Sequence, residues 1–147
     1  MTIRLAAHEL APHLYRAMKG LERASRESGL ESSVQELVRL RASQLNGCAY
    51  CVALHSDDAR GAGEAQRRLD LLPAWREAGE LYTERERAAL ELTEAATGLS
   101  SGEVSDEVWG RAAAVFTDTE LAELVWVIAV INAWNRVGAV ARSWPLP

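Results

Sequence analysis

Asn46-Gly47-Cys48-Ala49-Tyr50-Cys51-Val52-Ala53-Leu54-His55 holds both cysteines of the chain and one of its three histidines. The spacing is C-x-x-C-x-x-x-H. On a helix advancing about 100° per residue, Cys51 lies about 60° from Cys48 and His55 about 40° from Cys51. Two thiols and an imidazole therefore share one narrow face within roughly two turns. That convergence belongs to redox chemistry or to a metal site, and the rest of the chain must discriminate between them.

The flanking residues set the local fold. Val34, Leu37, Val38, Ala42 and Leu45 recur at helical spacing and predict a helix over 33–45. Ser33-Val34-Gln35-Glu36 matches a capping box at its start, and Asn46-Gly47 supplies a left-handed stop. A helix over 48–60 then carries the motif. A connection this short implies an αα-hairpin. At 1.5 Å per residue, His55 lies about 10 Å down the second arm and Glu36 about 15 Å down the first, so Glu36 comes level with His55 rather than with Cys48. Arg41 projects into the apolar side of its helix, where it must snorkel or find a carboxylate.

Helical periodicity continues along the whole chain, with no alternating strand pattern. A first helix is expected over 9–26, with Leu10, Leu14, Met18 and Leu21 as its buried stripe and Pro12 in its first turn; His8 and His13 read as solvated or capping side chains. A short helix is expected over 64–72, ended by Pro73. Thr83-Glu84-Arg85-Glu86 is a capping box opening a helix to about residue 96, and Ser105 caps one over 106–116. Thr117-Asp118-Thr119-Glu120 is a further capping box, opening a helix over 118–141. Its segment Leu124-Val125-Trp126-Val127-Ile128-Ala129-Val130-Ile131 is apolar on every face. Such a helix must be enclosed, either at the centre of the core or at a subunit interface. Asn132 and Asn135 need hydrogen-bond partners if buried.

The chain has 147 residues, 48% of them hydrophobic and 25% charged, which suits one all-α domain spanning 1–147 that buries its own core. The net charge of −5 and a single lysine, Lys19, give no support to nucleic-acid binding. The N-terminus lacks a signal-peptide pattern, and the longest apolar run is far below the roughly 20 residues of a membrane span. The expectation is a cytoplasmic protein without a membrane partner. That compartment keeps thiols reduced, so a structural staple is not the expected role of the cysteine pair. Two buried apolar thiols would be the bland reading, but it leaves His55 unexplained.

A thiol attacks as thiolate. A helix N-terminus favours the negative charge, His55 is within reach of Cys51 as base or cationic partner, and Glu36 can hold the imidazole in one tautomer. The helix start favours Cys48 as the stronger thiolate; the histidine spacing favours Cys51 as the activated one. The second thiol suggests the reaction type, since a sulfenic acid on one cysteine condenses with the other to a disulfide, which an external dithiol resets by exchange. As a metal site, Cys48, Cys51 and His55 would need Glu36 as fourth ligand; no bound metal or cofactor is expected. Acyl transfer by a Cys-His pair would leave one thiol without a task.

Glu36, Ser43-Gln44-Leu45-Asn46-Gly47-Cys48-Ala49-Tyr50-Cys51 and His55, together with Ile131-Asn132-Ala133-Trp134-Asn135-Arg136, resemble the AhpD-like alkylhydroperoxidases of the carboxymuconolactone decarboxylase superfamily. The resemblance implies an all-helical subunit assembled as a homotrimer or homohexamer. It implies a peroxidase acting on a hydroperoxide through Cys51 as the peroxidatic cysteine. Cys48 would condense with it and exchange with a thiol reductant, of lipoyl or thioredoxin-like type. Glu36 and His55 would form a proton relay. AhpD has a further histidine where this chain has Tyr50. Decarboxylases of the superfamily lack the C-x-x-C, and a redox-sensing helical assembly module is the non-enzymatic alternative.

Overall fold

The computed structural model describes residues 2–147. Among the described residues all regular structure is helical: α1 Ala7–Leu10, α2 Pro12–Arg26, α3 Ser32–Leu45, α4 Ala49–Gly61, α5 Gln66–Leu71, α6 Glu84–Thr97, α7 Asp106–Ala113 and α8 Asp118–Ala141, with 3-10 turns at Leu72–Ala74 and Gly79–Leu81. The capping boxes at Thr83 and Thr117 form as read from the sequence, and Ser105 accepts from the Val108 N–H.

α3 is the axis of the fold. It packs against α4, α6 and α8, and every residue from Val34 to Leu40 is buried. Two apolar clusters meet it. Val34 and Val38 join Leu92, Leu124, Val127 and Ile128 beneath α6 and α8. Leu37 and Leu40 join Ala59, Leu72, Trp75, Tyr82 and Leu90 on the opposite side. Arg41 finds a carboxylate, its Nε donating to Glu94 Oε1 at 2.7 Å.

Several expectations need correction. The first helix is two: Ala11 precedes Pro12, whose ring disfavours helical geometry in the residue before it, and Ala11 sits at φ −128°, ψ 60°. The expected stripe, now divided between α1 and α2, faces outward. Leu10 is 70% exposed and Leu14 62%, and Leu21 is also exposed, whereas Glu22 and Ser25 are buried. Ionic pairing with α3 decides which side of α2 turns inward. The capping box at Ser33 does not form; α3 starts one residue earlier, with no side-chain cap, because Glu36 is committed elsewhere. α7 ends at Ala113, short of residue 116.

α8 is neither fully enclosed nor fully peripheral. Leu124, Val127, Ile128, Val130 and Ile131 enter the core, while Trp126 is 60% exposed and Val125 and Val140 also face outward. By length and composition alone it could cross a membrane, and 44% of that stretch is buried within the fold. Its polar residues are satisfied inside the protein. Asn46 Nδ2 donates to Asn132 Oδ1 and Asn135 Oδ1, both at 3.0 Å, Asn135 Nδ2 donates to Ser43 Oγ at 2.9 Å, and Ser43 Oγ donates to the Arg39 carbonyl. This ladder fastens the α3–α4 turn to α8.

Candidate redox site at the α3–α4 turn

Cys48 closes one helix and opens the next. The Gly47 N–H donates to the Gln44 carbonyl and the Cys48 N–H to the Ser43 carbonyl, the paired bonds of a Schellman motif. The motif needs a left-handed residue, supplied by Gly47 at φ +63°. Cys48 is then the N-cap of α4, its Sγ accepting from the Cys51 N–H at 3.4 Å. The expected start of α4 at Cys48 thus moves by one residue. Cys48 and Cys51 are joined as a disulfide with Cα atoms 5.3 Å apart. When reduced, a Cys48 thiolate would lie at the positive end of the helix dipole.

The two sulfurs have different surroundings, although both residues are buried. Cys51 borders a cavity of about 130 Å³, together with His55. Cys48 lies under α8, where Gly138 leaves room for it: a Cβ at position 138 would stand 2.8 Å from Cys48 Sγ and 3.5 Å from Cys51 Sγ. Only glycine permits α8 to approach the pair so closely.

His55 Nδ1 lies 3.1 Å from Glu36 Oε2. An ionised carboxylate only accepts, so Nδ1 carries the hydrogen and Nε2 remains free to exchange a proton. The other carboxylate oxygen, Glu36 Oε1, accepts from Arg26 Nη1 at 3.0 Å and Arg39 Nη1 at 3.2 Å. Burial pushes the Glu36 carboxyl up, but the His55 hydrogen bond and the Arg39 and Arg26 charges outweigh it and hold it below the usual carboxylate range. Arg39 is only 1% exposed and is further held by Gln35 Oε1 at 3.0 Å and Ser25 Oγ at 3.2 Å. Arg26 also spans Glu22 at 2.7 Å and Asp58 at 3.1 Å.

Glu36, His55 and Asp58 present ligand atoms within 4.8 Å of one another, a spacing open to a metal ion. Arg26 donates to both carboxylates, so a guanidinium already supplies the positive charge between them. The ligand set read from sequence is disrupted in this state, because its two sulfurs are bonded to each other.

The structure therefore joins the four residues singled out from the sequence as two pairs, Cys48–Cys51 and Glu36–His55, with Cys51 and His55 bordering one cavity. It adds Arg26 and Arg39, legible only as (i, i+4) and (i, i+3) partners of Glu22 and Glu36, and Gly138, for which the sequence carried no signal. It also adds aromatic walls. Tyr15, Tyr50, Trp134 and Trp144 border the cavity, with ring centroids 5.8 Å apart for Tyr15–Trp134, 6.0 Å for Trp134–Trp144 and 5.3 Å for Tyr50–Trp144. Tyr50 lies tilted against Trp144, with 31° between the ring planes. The C-terminal segment is pinned for this purpose: Ser143 Oγ donates to the Leu5 carbonyl at 3.0 Å, and the Leu5 N–H donates to the Ala141 carbonyl at 3.0 Å.

Residues 12–95 match the family described as carboxymuconolactone decarboxylase. The chain belongs to that family. The uncharacterized protein YdfG of Bacillus subtilis (strain 168) is 37% identical over 137 residues, 93% of this chain and 92% of YdfG. A solved structure from Agrobacterium tumefaciens, of a protein of unknown function named provisionally as the antioxidant defence protein AhpD, superposes with a TM-score of 0.94 at 34% identity, covering 99% of this chain and 100% of that one. This agrees with the AhpD-like character read from the motif. The debrominase Bmp8 shares the fold alone, at 22% identity and a TM-score of 0.79 over 92% of this chain and 73% of its own. The fold thus also occurs in a debrominase, and the activity of this chain must be argued from its site.

Proposed function

We propose that this carboxymuconolactone decarboxylase family member is a thiol-dependent peroxidase that reduces hydroperoxides through Cys51 and Cys48. One observation carries the reading: of a cysteine pair closed as a disulfide, Cys51 borders a cavity that is also lined by a histidine hydrogen-bonded to a buried carboxylate.

In the reduced site the Cys51 thiolate attacks the outer oxygen of ROOH. The S–O bond forms as the O–O bond breaks, leaving Cys51 as a sulfenic acid. His55 Nε2 first accepts the Cys51 thiol proton and then returns it to the departing alkoxide, giving ROH, while Glu36 keeps the ring oriented through Nδ1. The Cys48 thiolate then attacks Cys51 Sγ, forming the disulfide; the expelled hydroxide takes the second thiol-derived proton and leaves as water. The sum is ROOH plus two thiols giving ROH, water and one disulfide. An external dithiol donates the two electrons and two protons that reopen it. Glu36 acts here as a fixed anion, because two guanidinium groups already share its other oxygen.

The outward apolar face of α2 and the exposed Trp126 and Val140 of α8 support assembly of several copies; a homotrimer or homohexamer, acting in the cytoplasm, is the proposed form. The reading is tested by mixing the reduced protein with an organic hydroperoxide and mapping the Cys48–Cys51 peptide by mass, then following peroxide loss under excess dithiol. Disulfide formation with sustained turnover supports a peroxidase. A decarboxylase would ignore the oxidant, and a sensor would oxidise once without turning over.

A further inference from the structure

We propose that the cavity at Cys51 selects substrates that carry one flat, ring-sized apolar group next to the reacting atom, in preference to hydrogen peroxide and to long-chain lipid hydroperoxides. The inference rests on the peroxidase reading for its reactive end and on the cavity walls for its selectivity.

The walls are unusually aromatic for this chain. It has nine Trp, Tyr and Phe residues (five, three and one), and four of them, Tyr15, Tyr50, Trp134 and Trp144, border this single cavity. They come from α2, α4, α8 and the C-terminal segment, so four separate parts of the chain converge to build it. All four are half-buried: one side of each packs into the protein while another is left for an occupant. Their mutual geometry is edge-to-face or tilted, leaving ring faces and edges available to a fifth ring. Leu54 completes the apolar part. Lys19, Glu22 and Arg26 also line the cavity beside Cys51 and His55, with Glu22 and Arg26 paired to each other at 2.7 Å. With the peroxide group at Cys51, the four aromatic side chains and Leu54 are what the rest of a substrate in this cavity meets.

Volume sets the upper bound. A protein cavity of about 150 Å³ takes up benzene, and this one measures about 130 Å³. One ring with a small substituent fits; an extended acyl chain must leave most of its length outside. Hydrogen peroxide fits but leaves the aromatic surface in water. Burying one ring is worth about 10- to 100-fold in affinity or in kcat/KM.

Two measurements on the full chain test this. The first needs no turnover: calorimetric titration of the oxidised protein with 2-phenyl-2-propanol, the unreactive alcohol of cumene hydroperoxide, in the wild type and in Trp134→Leu and Tyr50→Leu, each verified as folded by circular dichroism. The second compares kcat/KM for cumene hydroperoxide, hydrogen peroxide and a linoleic acid hydroperoxide under one dithiol. The expected results are saturable alcohol binding weakened about tenfold by either variant, and a preference for cumene hydroperoxide of at least about tenfold that narrows in both variants. Alcohol binding without any peroxide turnover would uphold the cavity and overturn the peroxidase reading. Turnover with equal kcat/KM for the three peroxides and no alcohol binding would overturn the cavity inference and leave the peroxidase intact.

Discussion

Glu36 Oε2 and His55 Nδ1 lie 3.1 Å apart between two antiparallel helices joined by a three-residue turn. Glu36 Oε1, on the same carboxylate, accepts from two arginines. The asymmetry fixes what Glu36→Gln would do. Arginine can only donate, so the amide oxygen must face Arg26 and Arg39, and the amide NH₂ must face His55. The ring is then driven to the tautomer with hydrogen on Nε2. The expected outcome is a rate of peroxide-driven disulfide formation lower by about 10²–10⁴-fold. Stopped-flow thiol oxidation, together with the ¹⁵N shifts of the His55 ring, checks it; an unchanged tautomer with an unchanged rate would remove Glu36 from the site.

The same ion cluster makes stability depend on acid. Glu36 is held below its ordinary value of 4.5 despite burial, by His55, Arg39 and Arg26. Glu94 is likewise held low, burial being outweighed by hydrogen bonds from Trp75, Arg76 and Arg41. A carboxylate whose folded value is depressed contributes stability fully above its unfolded value and loses it as pH falls through the folded one. Tm is therefore expected to hold down to about pH 5 and to fall below pH 4.5. Glu120, held at about 2 by Arg85 and the Thr117 backbone, extends the window downward but is exposed and contributes little. Thermal scans from pH 7 to pH 3 should show a shallower acid limb in Glu36→Gln than in the wild type.

Gly138 is a packing requirement of the disulfide. A methyl group there would stand 2.8 Å from Cys48 Sγ, so either the sulfur or α8 has to shift. Gly138→Ala is expected to cost the oxidised protein about 1–3 kcal/mol, read as a lower urea midpoint at unchanged m-value. A midpoint equal to that of the wild type would show that α8 can yield freely.

The outward stripe of α2 predicts association. Leu14→Glu introduces a charge into an exposed apolar face without touching the core. Light scattering after size exclusion should give a multimer for the wild type and a lower molar mass for the variant. A monomeric wild type would leave the stripe without a partner copy.

The motif itself was the most legible part of the chain. Glycine punctuation and helical spacing placed the α3–α4 turn, and rise per residue placed Glu36 beside His55. Capping boxes located α6 and α8 because those bonds are local. The orientation of α2 was not legible. Its apolar residues recur as a buried stripe should, and the opposite choice is made by Glu22, Ser25 and Arg26 meeting Arg39 and Glu36 from another helix. Long-range ionic pairing leaves no periodic trace. Gly138 and the aromatic walls were hidden for the same reason, since each acquires its meaning only when the end of α8 and the C-terminal segment come back over the cysteines.

The central claim is that Cys51 meets the peroxide and Cys48 resolves it. Intact-mass spectrometry of Cys48→Ser after one equivalent of an organic hydroperoxide tests it most directly. The expected product is a protein one oxygen atom heavier, trapped at Cys51 by a sulfenic-acid reagent, with Cys51→Ser left unmodified. Rapid peroxide consumption by Cys51→Ser, with the oxygen carried on Cys48, would contradict the account.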